Sequence, residues 1–156
     1  MRLRIVAVGN RMPAWVVAGF AEYARRFPPH LSLSLTEIAP GARTKGMDVA
    51  RIAADECQRC LKAVGDARLI ALERRGRPID TDGMAAALGE WLQQGRDVVF
   101  LIGGPEGLAA DCLARAERQW SLSALTLPHA MVRVLLAEQL YRAFSILQNL
   151  PYHRGA

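Results

Sequence analysis

The sequence predicts an α/β fold around a mostly parallel β-sheet with helices on both faces, organised as one domain over residues 1–156. Three observations predict it. Short apolar, β-branched runs alternate along the chain with longer segments of helical periodicity. One of those runs, Val98 to Ile102, drives straight into Gly103-Gly104-Pro105-Glu106-Gly107, and a helical pattern follows at once. With 156 residues and 51% hydrophobic content, the chain can fill one core but not two comfortable ones.

Taken in order, Leu3 to Val8 is an apolar run closed by Gly9, which reads as a buried strand. Pro13 opens a helical segment that continues to Phe27, where Pro28-Pro29 ends it. Leu31 to Thr36 alternates strictly between apolar and polar residues, the mark of a strand with one solvated face near a sheet edge. Pro40 to Gly46 is a basic, glycine-flanked loop, and Asp48 is placed to cap a helix that runs to Gly65. Arg68 to Glu73 is a third strand, followed by a charged loop, Arg74 to Pro78. Thr81 or Asp82 caps a helix through Leu92 or Gln93, stopped by Gly95. After the fourth strand and its glycine turn, a helix is expected over Ala109–Glu117, with Glu106 as its cap or, second, as a ligand contact. A strand-or-loop segment then spans Trp120 to Leu127, a long helix Met131 to Leu147, and a short polar tail Pro151 to Ala156.

Composition narrows the function. The formal charge is +5, carried by 18 Arg and 2 Lys among the 20 cations. Arginine is the better fork for phosphate, so an acidic partner such as nucleic acid is one reading, and base composition of the gene is the other. The N-terminus lacks the long apolar region and cleavage site of a signal peptide, and no apolar stretch is long enough for a membrane span, so a cytoplasmic protein with no membrane partner is expected. Three cysteines are an odd count for a secreted disulfide framework. Cys57 and Cys60 have metal-like spacing but no second ligand pair, and read as ordinary core thiols; no metal site is expected.

In a parallel sheet, ligands bind beyond the carboxyl ends of the strands. The loops after Leu72, after Ile102 and around Leu125 fit that position. Gly103 to Gly107 matches neither the phosphate loop nor the dinucleotide fingerprint, which leaves a backbone-lined ligand loop or a tight turn. Other candidates are scattered. His129 stands at a helix start, as a base or a packing residue. Glu138 and Arg142 are four apart on one helix face. Tyr152, His153 and Arg154 put a ring, a titratable group and an anion fork close together near the chain end.

Four motifs in order carry a resemblance. Leu101 to Gly107, Ser121 to His129, Val132 to Leu135 with Glu138 to Ala143, and Pro151 to Arg154 strongly resemble the ribosomal large-subunit RNA pseudouridine methyltransferases of the SPOUT superfamily. The similarity extends back to Val6 to Gly9 and the Met12-Pro13-x-Trp15 turn. It implies a trefoil-knotted α/β fold and a homodimer with active sites at the subunit interface. It further implies S-adenosylmethionine as cofactor, and methylation of N3 of a pseudouridine in 23S rRNA of the assembled ribosome. The implied cofactor residues are Leu72, Glu73, Gly103, Gly104, Ser123, Ala124, Leu125, Thr126, Leu127 and Pro128. For the chemistry, Arg154 with Arg142 would stabilise the imide anion, His129 or His153 would assist deprotonation, Tyr152 would position the base, and Glu138 would pair with Arg142. A non-catalytic RNA-binding or ribosome-assembly protein on the same fold is the alternative.

Overall fold

The computed structural model describes residues 1–155; Ala156 of the expected tail lies outside the described residues. Five strands form one sheet: β1 (Arg2–Val8), β2 (Ser32–Ile38), β3 (Arg68–Pro78), β4 (Val98–Ile102) and β5 (Arg118–Ser121). Their order is β2-β1-β4-β3-β5, and every pairing is parallel. The alternating strand is indeed at an edge, where only one face is buried.

The helices are α1 (Ala14–Ala24), α2 (Val49–Val64), α3 (Thr81–Gln94), α4 (Ala110–Arg115) and α5 (His129–Leu147), with a short 3-10 turn at Pro151–Arg154. Packing places α1, α3 and α5 on one face of the sheet and α2 and α4 on the other. β4 is buried along its whole length because helices cover both its faces. Under the α3 side, Trp91 stacks on Trp120 with ring centroids 5.6 Å apart and meets Phe100 edge-on at 6.0 Å. This aromatic group fixes the start of the segment that follows β5.

Several boundaries differ from the sequence expectation for identifiable reasons. Asp80, not Thr81 or Asp82, caps α3: its carboxylate accepts the Gly83 N–H at 2.7 Å, while the Thr81 hydroxyl donates to Gln139 at 2.7 Å. Asp48 caps α2 as expected, accepting from the Ala50 N–H. The helix expected over Ala109–Glu117 is shorter, because Glu117 donates its N–H to Leu69 and the chain turns into β5. Glu106 does not cap it; its carboxylate pairs with Arg43 instead. α1 stops at Ala24, and α5 begins at His129, two residues before the expected start.

The largest departure is β3. The expected loop Arg74 to Pro78 continues the strand, but the register slips: Leu72 and Arg77 both lie opposite Trp120. Residues Glu73 to Gly76 therefore bulge out of the ladder, a device that re-aims side chains beside a site. Gly76 makes the bulge feasible, since a Cβ there would lie 2.7 Å from the Gln119 main chain.

A buried arginine ties the sheet to the last helix. Arg133 of α5 is 0% exposed; it donates to the Gly9 carbonyl at 2.9 Å and pairs with Glu37 at 2.7 Å. Gly9 has φ +123, and a Cβ on it would meet Arg133 at 3.2 Å and His129 at 3.4 Å. The N-terminal turn of α5 is thus seated on the ends of β1 and β2.

On the opposite face, Cys57 is not the ordinary core thiol expected: it is paired with Cys112 of α4, their Cα atoms 5.8 Å apart. Cys60 is buried, and burial pushes its thiol up to about 11. Among the described residues no helix is long and apolar enough to cross a membrane.

Because the bulge is packed against main chain that cannot rotate away, Gly76→Ala is expected to cost about 1–3 kcal/mol. Urea denaturation checks this; an unchanged midpoint would show that the bulge is not held by that contact.

Candidate active site

The carboxyl ends of β3, β4 and β5 enclose a cavity of about 240 Å³. Three segments build it. β3 contributes Leu72 and, from its bulge, Glu73 and Arg74; the β4–α4 turn contributes Gly103, Gly104, Gly107 and Leu108; and the end of β5 with the loop after it contributes Trp120 to Ser123 and Leu125 to Leu127. Ile102, His129 and Val132 complete the lining.

Each wall has a local cause. The glycine turn is closed by a Gly107 N–H donating to the Gly104 carbonyl at 2.9 Å, with Gly107 at φ +75. It folds back so tightly that a Cβ on Gly103 would lie 2.8 Å from the Gly107 main chain. The result is a wall of bare backbone facing the cavity. Across from it, the Ser123 hydroxyl accepts the Leu125 N–H at 2.9 Å, and the Ser121 hydroxyl donates to the Ser123 carbonyl at 3.2 Å. Arg74 of the bulge donates to Thr126 at 3.2 Å, joining the third wall to the second. Leu72, Ile102, Trp120, Leu122 and Leu127 supply apolar surface, so the cavity has flat, apolar sides and main-chain polar groups at its edges.

Of the expected cofactor residues, Leu72, Glu73, Gly103, Gly104, Ser123, Leu125, Thr126 and Leu127 line this one cavity. Ala124 and Pro128 belong to the same loop but are not on its wall. Pro128 instead starts α5, its carbonyl accepting from Met131 and Val132. Arg74, Trp120 and Leu108 are lining residues that the sequence reading did not single out as site residues. The signal for Arg74 was weak, since a charged loop gives no sign that a bulge will turn one arginine inward.

The expected catalytic residues divide into two groups. His129 is on the cavity wall, with its Nδ1 buried and without a protein partner. Glu138, Arg142, Tyr152, His153 and Arg154 gather farther along α5 and do not line the cavity. There Arg142 and Tyr152 both donate to Glu138 Oε1, at 2.6 Å and 3.0 Å. The Glu138–Arg142 pair is only 16% and 19% exposed, so it is not a solvated surface bridge. Arg142 lies over the Tyr152 ring at 4.9 Å, and Tyr141 meets the same ring edge-on at 4.9 Å. His153 Nδ1 is 3.3 Å from the Ser145 hydroxyl, and Arg154 donates to Asn149 at 2.8 Å. Tyr152 reaches Glu138, nine residues past His129, or about 14 Å along the helix axis. Within one chain, cavity and tail stay apart.

Burial, then the hydrogen bonds with Tyr23 and Glu138, push the Tyr152 phenol well above its ordinary range. It is a neutral donor across physiological pH. Among the described residues no three of His, Cys, Asp and Glu gather as metal ligands would.

Comparison with known proteins bears on the whole chain. The family model described as Predicted SPOUT methyltransferase matches residues 1–153. The chain is 56% identical to Ribosomal RNA large subunit methyltransferase H of Alkalilimnicola ehrlichii, over 99% of this chain and 100% of that one. It is 52% identical to the protein of the same name from Methylococcus capsulatus, with the same coverage. Among solved structures, a probable methylase family protein from Haemophilus influenzae superposes with a TM-score of 0.60 at 18% identity, covering 96% of this chain and 69% of that one.

The Tyr152 environment has a pH signature. A tyrosine whose folded pKa is raised contributes stability that is complete below its ordinary value of 10.0 and is lost as pH climbs above it. The denaturation midpoint should therefore fall more steeply above pH 10 in the native protein than in Tyr152→Phe. Equal slopes would mean that Tyr152 ionises freely.

Proposed function

The chain belongs to the SPOUT methyltransferase family, and on that premise we propose that it is a cytoplasmic homodimer that methylates N3 of a pseudouridine in 23S rRNA. S-adenosylmethionine is the proposed cofactor and the assembled ribosome the proposed substrate. The observation that carries the proposal is the cavity itself: three loop segments that resemble a cofactor pocket, far apart in sequence, line one recess. The names of the two relatives support the large-subunit RNA as substrate. The proposal includes the family's trefoil knot, which the all-parallel order with β5 beside β3 supports.

The residues present fit such a cofactor. The bare glycine wall admits a flat, nucleoside-bearing ligand to main-chain N–H and C=O groups, and Leu72, Trp120 and Leu127 supply apolar faces for a ring. When bound, S-adenosylmethionine supplies an electrophilic methyl group on a sulfonium. What remains for the protein is to position the pseudouridine, remove a proton from N3 and stabilise the resulting imide anion.

His129 is the proposed proton acceptor, because it is on the cavity wall. His153 is the weaker candidate, its Nδ1 being engaged by Ser145. Arg154 is the proposed anion holder. Glu138, Arg142 and Tyr152 hold the tail through their shared hydrogen bonds, so their proposed part is to position Arg154.

A tail this far from its own cavity points to a composite site, with Arg154 of the partner subunit closing the pocket. The surface beside the cavity supports this. Trp15 and Val17 of α1 and Met131 and Leu135 of α5 are 55%, 60%, 38% and 38% exposed. The two helices pack closely, since a Cβ on Gly19 would lie 3.1 Å from Val134. An apolar face of this kind suits a second copy of the chain. The exposed Arg74 and Arg75 of the bulge give the mouth a positive charge for RNA phosphates.

Purified protein with labelled S-adenosylmethionine is expected to methylate intact ribosomes. Incorporation into neither ribosomes, large subunits nor naked 23S rRNA would overturn the proposal. Arg154→Ala should lower kcat by about 10²–10³, the loss typical of one anion-stabilising donor, with cofactor affinity unchanged by calorimetry. Leu135→Glu should give a monomer by sedimentation and remove activity; an active monomer would refute the composite site.

A further inference from the structure

The connection between β2 and α2, Pro40 to Asp48, leaves the sheet at the same edge as the cavity loops but is not part of the cavity wall. It is exposed from Ala42 onward, and it carries Arg43 and Lys45, with Arg51 just beyond it. Two carboxylates hold it against the glycine turn. Glu56 of α2, 2% exposed, accepts the Gly41 N–H at 2.8 Å; its other oxygen has no partner and lies 3.6 Å from where a Cβ on Gly104 would be. Glu106, at the tip of the turn and 17% exposed, pairs with Arg43, whose side chain is 40% exposed. Among the described residues Lys45 and Arg51 have no ion-pair partner.

Arg43 is thus neutralised by an acidic group of the cavity turn itself. Glu106 is largely covered, but two-fifths of the Arg43 side chain stays in water, so an incoming phosphate can reach the guanidinium and compete with Glu106 for it. A guanidinium is suited to that exchange, since its planar fork matches a phosphate as well as a carboxylate.

We propose that the Pro40–Asp48 loop is a phosphate-contacting arm for the RNA, in which Arg43 exchanges between Glu106 of the cavity turn and an RNA phosphate. The partner class rests on the methyltransferase reading above. Glu106 acts as a competitor for the RNA, and RNA binding releases the tip of the turn that forms one wall of the cavity. By linkage, whatever tightens the turn onto Arg43 weakens the arm's hold on RNA by the same factor.

The test is the affinity for intact ribosomes across a series of KCl concentrations. Arg43→Ala should weaken binding several-fold and make the salt slope shallower by about one. Glu106→Gln should act in the opposite direction, tightening binding several-fold, because it removes the competitor and leaves the cation. The double variant should behave like Arg43→Ala. Lys45→Ala, which does not touch Glu106, should weaken binding whether or not Glu106 is present. A brace between two loops would instead make Arg43→Ala and Glu106→Gln change binding in the same direction; that result, or no change in either, overturns the arm. Calorimetry with S-adenosylmethionine alone, on the same samples, reads the cavity separately: a native protein that ignores the cofactor sinks the methyltransferase reading while the ribosome titration still decides the arm.

Discussion

The length of α5 constrains everything functional in this molecule. Its 19 residues begin at the cavity with His129 and end at Leu147, a rise of about 27 Å. The tail that follows is turned back and bound to the same helix through Tyr152 and His153, while Arg154 bonds Asn149 just beyond the helix end. A parallel sheet collects its loops at one edge, and a straight helix laid across it must carry the chain end away from them. The polar tail is therefore placed to serve the proposed composite site on a second subunit and not its own cavity. Arg133 makes this arrangement stiff, because it joins the first turns of α5 to Gly9 and Glu37 from a fully buried position. Pulling the fully buried Arg133 guanidinium away from the Gly9 carbonyl and Glu37 would leave its charge unpaired, which is strongly destabilising, so α5 cannot readily swing to bring the two ends together.

The cavity depends on a different constraint, the absence of side chains. Gly103 and Gly107 close on each other so tightly that neither the turn nor its flat wall would survive a Cβ at Gly103. Gly76 does the same for the bulge that delivers Glu73 and Arg74. Trp91 and Trp120, stacked beneath, keep the end of β5 from moving while the loop above it stays open. Rigid support below and bare backbone above are the conditions under which a ligand's polar edges meet main-chain groups without competition from side chains.

The fold was largely legible in the sequence. Alternation of β-branched runs with helical periodicity carried the strands and the two-sided packing, and the polar–apolar pattern of Leu31 to Thr36 placed its strand at an edge. What escaped was set by tertiary contacts. The bulge in β3 depends on a register against Trp120, and no local signal in Glu73-Arg74-Arg75-Gly76 distinguishes it from a loop. Glu106 looked like a helix cap because it precedes a helix, but Arg43, 63 residues away in sequence, takes its carboxylate. The candidate cofactor residues were legible as a motif resemblance, and eight of the ten share one cavity. The spacing of Glu138 and Arg142 on one helix face was legible as a pair, but no one-dimensional pattern shows that Tyr152 would join them.

Cavity and tail are proposed to meet only between two subunits, and mixing of variant subunits tests this. Arg154→Ala leaves the cavity intact, whereas Gly104→Val would press the glycine turn against Val8 and Glu56 and so distort that wall of the cavity while leaving the tail intact. Each variant alone should be nearly inactive. Mixed in equal amounts and allowed to exchange, half of the dimers would carry one unaltered cavity facing one unaltered tail, and activity should return to about a quarter of the native level, as expected for random pairing in a symmetric dimer. A mixture as inactive as its components, under conditions where exchange is verified, would contradict the account.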